Sequence, residues 1–403
     1  MDRNYNRLRR LCAFIIGAVF FVSGLLKLLD PVGAGLVMAE YFRFFGTDFM
    51  LQAAKPAAEA MSIFETLLGA LLMTGLWRKV VAVTALVFIC GFTILTVILV
   101  IFNPDMDCGC FGEAVHLSHM QSLVKNLVLC ALSAVAFTPI NRLGRPKRRK
   151  YVSFGIVAAS VAVFAVYSLM YIPMVDFTDF RAASRLAASA GEVSGTYEAS
   201  FVYEKDGIEK IFSLENLPDS TWTFVRTETV QSGGTGETYP TLSFTDADGR
   251  YCDNLAASGK VIVISVYDPG SVPGRRWEEI AGRLPEIFGA GYHPIILVAG
   301  DSFSLASALA GTVPEDIAGN IAGSAYFADY KTLMTLNRSN GGAVYFHDGY
   351  LVRKWSFRNL PSSDELDRIA LDYVDETVIE TTTAGHLAFQ AFLLLSFAVI
   401  LFV

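Results

Sequence analysis

Asp107-Cys108-Gly109-Cys110-Phe111-Gly112-Glu113 stands between two long apolar runs, Val80 to Phe102 before it and about Ser118 to Phe137 after it. Each run is long enough to cross the ~30 Å hydrocarbon layer as a helix, so the seven residues are read as a short connection at one membrane face. Two thiols one residue apart can close on each other, and the glycine between them relaxes the backbone enough to allow it. The ring would be very small, and strain makes such a disulfide easier to reduce than a structural one. The pair is therefore read as a working redox couple, Cys108 and Cys110. A static disulfide, or two reduced thiols in a turn, is the plainer alternative. His116 and His119 follow closely, and Cys-x-Cys…His-x-x-His supplies four donors of the kind that hold zinc. His119 opens the next apolar run, however, so its imidazole need not face the thiols, and no metal is expected here.

Working outward, the rest of the chain has the same membrane character. Of 403 residues 53% are hydrophobic and 18% charged, and the mean hydropathy is +0.44, the balance of a polytopic membrane protein. A formal charge of −7 excludes a generally basic nucleic-acid binder. The first span is Leu11 to Leu29, preceded by Arg3, Arg7, Arg9 and Arg10; it is too long for a signal peptide and lacks a small-x-small cleavage site. Val32 to Lys55, with Tyr41, Phe42, Phe44 and Phe45, is expected to lie in the interface as a short amphipathic helix. The second span runs from about Ala57 to Leu76 and ends at Trp77-Arg78-Lys79; a fifth, Tyr151 to Ile172, follows the basic stretch Arg142 to Lys150. With the three basic segments in the cytoplasm, the N-terminus is inside, and the cysteine loop and residues 173–385 are outside, in the periplasm of a bacterial inner-membrane protein. That compartment is oxidising, so a dithiol there can cycle. The last run, His386 to Val403, is just long enough to return through the bilayer or to lie on it.

Cys12, Cys90 and Cys130 lie in apolar runs as small core residues, and Cys252 has no assignable partner. The polar part begins with a hairpin, Phe201 to Phe212, turning at Asp206-Gly207, and a Gly-rich loop at Gln231 to Glu237. A strand at Lys260 to Tyr267, a helix at Arg275 to about Phe288 and a strand at Pro294 to Ala299 follow. A hairpin over Ala343 to Trp355 and a helix from Ser362 to about Val374 complete it. This is the element order of an α/β thioredoxin-like domain over 255–375. The turn after its first strand, Asp268-Pro269-Gly270-Ser271, carries no thiol, so the domain cannot do dithiol chemistry by itself.

Lys27, Glu65, Lys125 and Asn126 sit inside the apolar spans, at depths on the side where Cys108 and Cys110 emerge. Such residues usually face a bundle interior. Glu65 is expected to pair with Lys27 or Lys125, and the remaining positive charge to favour a thiolate at Cys108 or Cys110.

Residues 1–140 resemble the MauE/DoxX family of redox-associated membrane proteins. The likeness rests on Ser23-Gly24-Leu25-Leu26-Lys27-Leu28-Leu29-Asp30-Pro31, on Phe64-Glu65-Thr66-Leu67-Leu68-Gly69, on the Cys-Gly-Cys-Phe-Gly string and on Gln121-Ser122-Leu123-Val124-Lys125-Asn126. It implies a four-helix membrane core linked to thiol–disulfide or electron transfer outside the cytoplasm. The downstream half looks like the thioredoxin-like domain fused to such cores in Bacteroidota proteins, with Gly341-Gly342 where that domain class carries a cis-proline. The chain is thus expected to be a polytopic α-helical membrane protein. It has a four-helix core (1–140), a basic loop and fifth span (141–172), an extracytoplasmic domain (173–385) and a C-terminal membrane helix (386–403). Cys108 and Cys110 exchange thiol and disulfide with an extracytoplasmic protein client; a quinone is the candidate electron carrier by analogy with other disulfide-forming membrane bundles, although no quinone motif stands in the sequence. The rival reading is a non-catalytic assembly protein whose cysteine-free thioredoxin-like domain binds a client.

Overall fold

The computed structural model describes residues 3–104, 106–138, 148–187, 196–205, 208–213, 223–232, 239–371 and 373–402, and within 196–232 the strand backbone. Arg142, Arg145 and Lys147 of the basic stretch, the Asp206-Gly207 turn and most of the Gly-rich loop lie outside the described residues. The chain divides into two compact units, Met1–Thr178 with Met334–Ala343 and Lys354–Val403, and Asp179–Leu333 with Val344–Arg353.

The first unit begins with α1 (Arg3–Leu29), α2 (Pro31–Phe44) and α3 (Ala54–Thr74), the last preceded by a short 3-10 turn, Asp48–Ala53. Next come α4 (Arg78–Phe102), the short strand β1 (Cys110–Glu113), α5 (His119–Phe137) and α6 (Arg149–Met170). Among the described residues six helices are long and apolar enough to cross a membrane, α1 and α3 to α6 with one at the C-terminus, so this is a membrane protein. Val80, Val83, Val87, Ile94 and Ile101 stand exposed along α4, where lipid rather than water is the solvent that suits them.

Between α1 and α3 the packing is backbone on backbone. A Cβ at Gly17 would lie 2.8 Å from the Gly69 carbonyl oxygen, one at Gly69 would strike the Phe21 amide, and one at Gly24 would strike Thr66. Small residues permit this approach, and close packing replaces the hydrophobic drive that lipid cannot supply. Around that contact, Ile16, Phe20, Leu72, Ala82 and Leu129 form one core and Phe21, Leu25, Val161, Phe164 and Phe389 another.

Val32 to Lys55 holds most of a short helix, α2, whose first turns pack on α3. Asp30 caps α2 by accepting the Gly33 amide at 2.9 Å, Pro31 occupies the first turn, and Gly33, Ala34 and Gly35 are buried. A Cβ at Gly35 would lie 3.1 Å from Lys55 Cα, so the small face lets α2 lie close against α3.

The second unit holds a three-stranded sheet with β2 (Thr196–Lys205) central between β3 (Ile208–Ser213) and β4 (Thr223–Ser232), both antiparallel to it. A mixed five-stranded sheet is built from β5 (Lys260–Val266), α7 (Gly274–Gly289), β6 (His293–Ala299), α8 (Ser302–Leu309), α9 (Glu315–Gly323), β7 (Ala325–Ala328), α10 (Tyr330–Leu336), β8 (Gly342–His347) and β9 (Tyr350–Trp355). Strand order is β7-β6-β5-β8-β9, with β5, β6 and β7 parallel. Val261 to Ile264 and Ile295 to Val298 are fully buried, as expected of parallel strands covered on both faces. Trp277, Ile280, Leu284 and Ile287 form the buried stripe of α7 at helical spacing. Asp348 (φ 47°) and Gly349 (φ 78°) make the tight left-handed turn between β8 and β9. Two further helices close the chain: α11 (Ser363–Leu371), and α12 (Val374–Phe402), which starts twelve residues before the expected His386.

Candidate functional site

α5 sets the site's back wall. Ser118 caps it, its hydroxyl accepting the Gln121 amide while the Gln121 side chain accepts the Ser118 amide, which fixes where the helix starts. From that start, Ser122, Lys125, Asn126 and Leu129 follow at i, i+3, i+4 and i+7, the spacing that places side chains on one helix face. All but Ser122 line a cavity of about 270 Å³ in the first unit, together with Cys108 and Cys110. Most of the lining is apolar, from residues such as Val19, Val37, Phe42 and Leu95. α2 contributes Ala34, Val37, Met38 and Tyr41 to the same cavity, again at helical spacing.

The loop is shaped by two left-handed glycines, Gly109 (φ 59°) and Gly112 (φ 60°). A Cβ on Gly109 would strike Val37 Cγ1, so glycine there answers both to the backbone angle and to the close approach of α2. Tyr41 Oη donates to the Cys108 carbonyl at 2.9 Å, and the Ser23 hydroxyl lies 2.6 Å from the Cys110 carbonyl oxygen. The two carbonyls that flank Gly109 are thereby pinned from α2 and α1.

Cys108 and Cys110 are both free thiols; Cys108 is buried and Cys110 half-buried. The Cys108 thiol hydrogen-bonds to the Cys110 sulfur, which stabilises charge on Cys110 and holds the proton on Cys108. Cys110 is lowered to about 5, chiefly by that bond and further by the charge and hydrogen bond of Lys125, against the opposing effect of burial. Cys108 is pushed well up by the same bond, by burial and by the charge of Cys110. Ser122 Oγ lies 3.7 Å from Cys110 Sγ. Burial, then the neighbouring sulfurs, raise the Tyr41 phenol, so it remains a donor.

The structure brings the intramembrane residues to the same place. Lys27 Nζ is 2.6 Å from Glu65 Oε2, with side chains 12% and 4% exposed, and Glu65 Oε1 is 2.7 Å from Ser23 Oγ. Glu65 is thus committed to Lys27, whereas the Lys125 ammonium lies 5.0 Å from the centre of the Phe111 ring and faces Cys110. Asn126 Nδ2 donates to the Phe92 carbonyl at 3.2 Å and lies 3.3 Å from Thr96 Oγ1. The two histidines turn elsewhere: His116 Nδ1 is 3.2 Å from Asp107 Oδ2 and His119 Nε2 is 3.0 Å from the Met106 carbonyl oxygen.

Residues 6–139 match the family model of methylamine utilisation protein MauE. This MauE-like stretch covers α1 to α5 and with them the cysteine loop. Residues 197–232 match a domain family of unknown function, DUF8463. No curated protein and no solved structure matches the chain.

Three contributors escape a sequence reading. Ser23 and Tyr41 look like ordinary hydroxyl residues of membrane helices; the only local signal is that Ser23 stands four residues before Lys27 on the same helix face. The third is an ion cluster at the far side of the loop. Arg338 Nη2 lies 2.8 Å from Asp30 Oδ2 and 3.3 Å from Glu113 Oε1, all three within the first unit. Asp30 therefore caps α2 with one oxygen and holds Arg338 with the other, and Glu113 ties the end of β1 to the pair.

Proposed function

We propose that the MauE-like core is a membrane thiol–disulfide exchange component in which Cys110 is the attacking sulfur and Cys108 the resolving one. The observation that carries this reading is the meeting of both thiols and the Lys125 ammonium at one wall of an apolar cavity. A sulfur held as thiolate beside a cation is nucleophilic at neutral pH, and a second thiol in hydrogen-bond reach can resolve the adduct. In the exchange, the Cys110 thiolate attacks one sulfur of a partner disulfide. The partner's S–S bond breaks, its departing sulfur takes a proton, and a Cys110–partner disulfide forms. Cys108 then loses its proton and attacks Cys110 Sγ, releasing the partner's second sulfur and closing Cys108–Cys110. Two electrons have passed to the partner; the same steps in reverse oxidise a partner dithiol.

The cavity supports a second role for the same pair. Its apolar lining, with Lys27, Lys125 and Tyr41 as polar groups, suits a flat apolar molecule bearing carbonyl oxygens, the chemistry of a quinone. Two electrons and two protons taken from the dithiol would make a hydroquinone and leave the disulfide. Basic residues at the opposite end of the helices, Arg7, Arg9, Arg10, Arg78, Lys79, Arg149 and Lys150, support a cytoplasmic placement of that end and a periplasmic cysteine loop in a bacterial inner membrane. Parallel β5–α7–β6 followed by the β8–β9 hairpin supports a thioredoxin-like reading of the second unit, which without thiols in its Asp268–Ser271 turn serves to bind the protein client.

The test is the reduction potential of Cys108–Cys110 in the detergent-purified full chain, with mixed-disulfide trapping in the Cys108→Ala variant. A midpoint of about −120 to −230 mV, with an adduct formed by Cys108→Ala and lost when Cys110 is also changed, supports the exchange reading. A bond still closed below about −300 mV marks a structural staple and overturns it.

A further inference from the structure

The opposite end of the bundle carries a second cavity, unrelated to the thiols. Antiparallel connection brings the start of α1, the end of α3, the start of α4, the end of α5 and the start of α6 to this end, and a cavity of about 440 Å³ opens among them. Arg9, Arg10, Arg78 and Lys150 line it, and its lining contains no Asp or Glu among the described residues. Arg9 Nε donates to the Ala136 carbonyl at 3.1 Å and Arg78 Nε to the Gly75 carbonyl at 3.0 Å, which fixes the direction of each guanidinium. Lys150 Nζ donates to the Ile400 carbonyl at 2.6 Å, and Arg10 and Arg78 lie close enough to repel each other. Like charges gathered around a cavity are unfavourable unless an anion joins them.

The other wall is apolar, with Phe14 and Val81 among its residues. A site with cationic groups at one edge and hydrocarbon along the other, set where six membrane-length helices end, has the form of an amphiphile rather than of a free ion. We propose that this cavity binds the phosphodiester headgroup of an anionic phospholipid, with Arg10 and Arg78 on the phosphate oxygens and an acyl chain along Phe14 and Val81. Guanidinium groups suit this role because their planar N–H pairs match phosphate oxygens two at a time.

The probes are phosphatidylglycerol, phosphatidylcholine and inorganic phosphate, offered to the full chain in an uncharged detergent and read by native mass spectrometry. Phosphatidylglycerol is expected to be retained over phosphatidylcholine, and the Arg10→Gln/Arg78→Gln double variant to lower that preference by about thirtyfold, at the usual worth of two basic residues against an anionic lipid surface. The control Arg7→Gln/Lys79→Gln, which removes two basic residues of the same end that do not line the cavity, should leave the preference intact. Should the double variant prove unstable, Arg10→Lys/Arg78→Lys keeps both charges and should retain phosphatidylglycerol. In the wild type, added salt should weaken its retention and leave phosphatidylcholine unaffected. Equal retention of the two lipids, or a preference that falls as far in the control as in the double variant, overturns the proposal. So does displacement of the lipid by millimolar inorganic phosphate, which would assign the site to a free anion.

Discussion

Replacing Lys125 by Met removes the cation beside Cys110 while keeping a side chain of similar length, and the consequence can be worked through. With Cys110 lowered to about 5, its sulfur is about 99% thiolate at pH 7, against about 3% for an ordinary cysteine. Two opposite charges about 4 Å apart in an effective dielectric of about 20 interact by about 4 kcal/mol. Each 1.36 kcal/mol is a decade in the thiolate-to-thiol ratio, so the variant should lose roughly two to three decades. The hydrogen bond from Cys108 remains, and the Cys110 midpoint should settle between about 7 and 8, leaving roughly a tenth to a half of the sulfur as thiolate at pH 7. The assay is the pH dependence of Cys110 alkylation, followed site by site by mass spectrometry in the detergent-purified chain. Lys125→Arg serves as control and should keep the low midpoint. A Lys125→Met profile that coincides with the wild type would refute the assignment of the charge on Cys110 to this lysine.

Glu65→Gln leaves Lys27 buried without its counter-charge and should destabilise the bundle by about 3–5 kcal/mol, read as a lower melting temperature in detergent; an unchanged Cys108–Cys110 potential in this variant would show that the pair is structural and does not tune the thiols. Gly109→Ala forces a side chain into a left-handed backbone and against Val37, at a cost of about 1–2 kcal/mol from the backbone alone; adding Val37→Ala should recover only the steric part, and full recovery would place the strain in the contact instead. Glu113 is raised above the ordinary carboxylate range, by burial first and against the pull of Arg338. The folded chain therefore holds this proton more tightly than the unfolded one, so the associated stability is present in acid and is lost as pH rises through the folded value. Glu113→Gln should flatten that part of the melting-temperature profile, and an identical slope in both proteins would assign it to other groups.

Much of the architecture is legible because the bilayer makes run length diagnostic: the spans before and after the cysteine loop end within two residues of where their apolar runs end. Lys27, Glu65, Lys125 and Asn126 were visible because polar residues in such runs need a reason. The packing of α2 on α3 is not legible, since Tyr41, Phe42, Phe44 and Phe45 draw the eye and only Gly33 to Gly35 mark the face that meets α3. The extension of α12 back to Val374 carries no apolar signal because its first turns are polar. The helices α8 and α9 are not legible, being short and rich in Ala, Ser and Gly, with weak periodicity. Arg338 meets Asp30 across 308 residues, a distance at which local pattern carries no information.

The glycine contact between α1 and α3 also bears on how the chain enters a bilayer. Lys27 is made first, alone in an apolar helix, and a basic residue at a helix centre costs about 2.5–3.5 kcal/mol on translocon-insertion scales. Glu65 follows 38 residues later, and only when α3 docks against Gly17 and Gly24 can the two side chains meet and the charge be cancelled. That docking involves residues of the first three helices, all of which precede Cys108 and Cys110 in the chain. The Ser23–Glu65–Lys27 side of the site is thus drawn from residues that precede the thiols in the chain, whereas the Lys125 wall on α5 follows them.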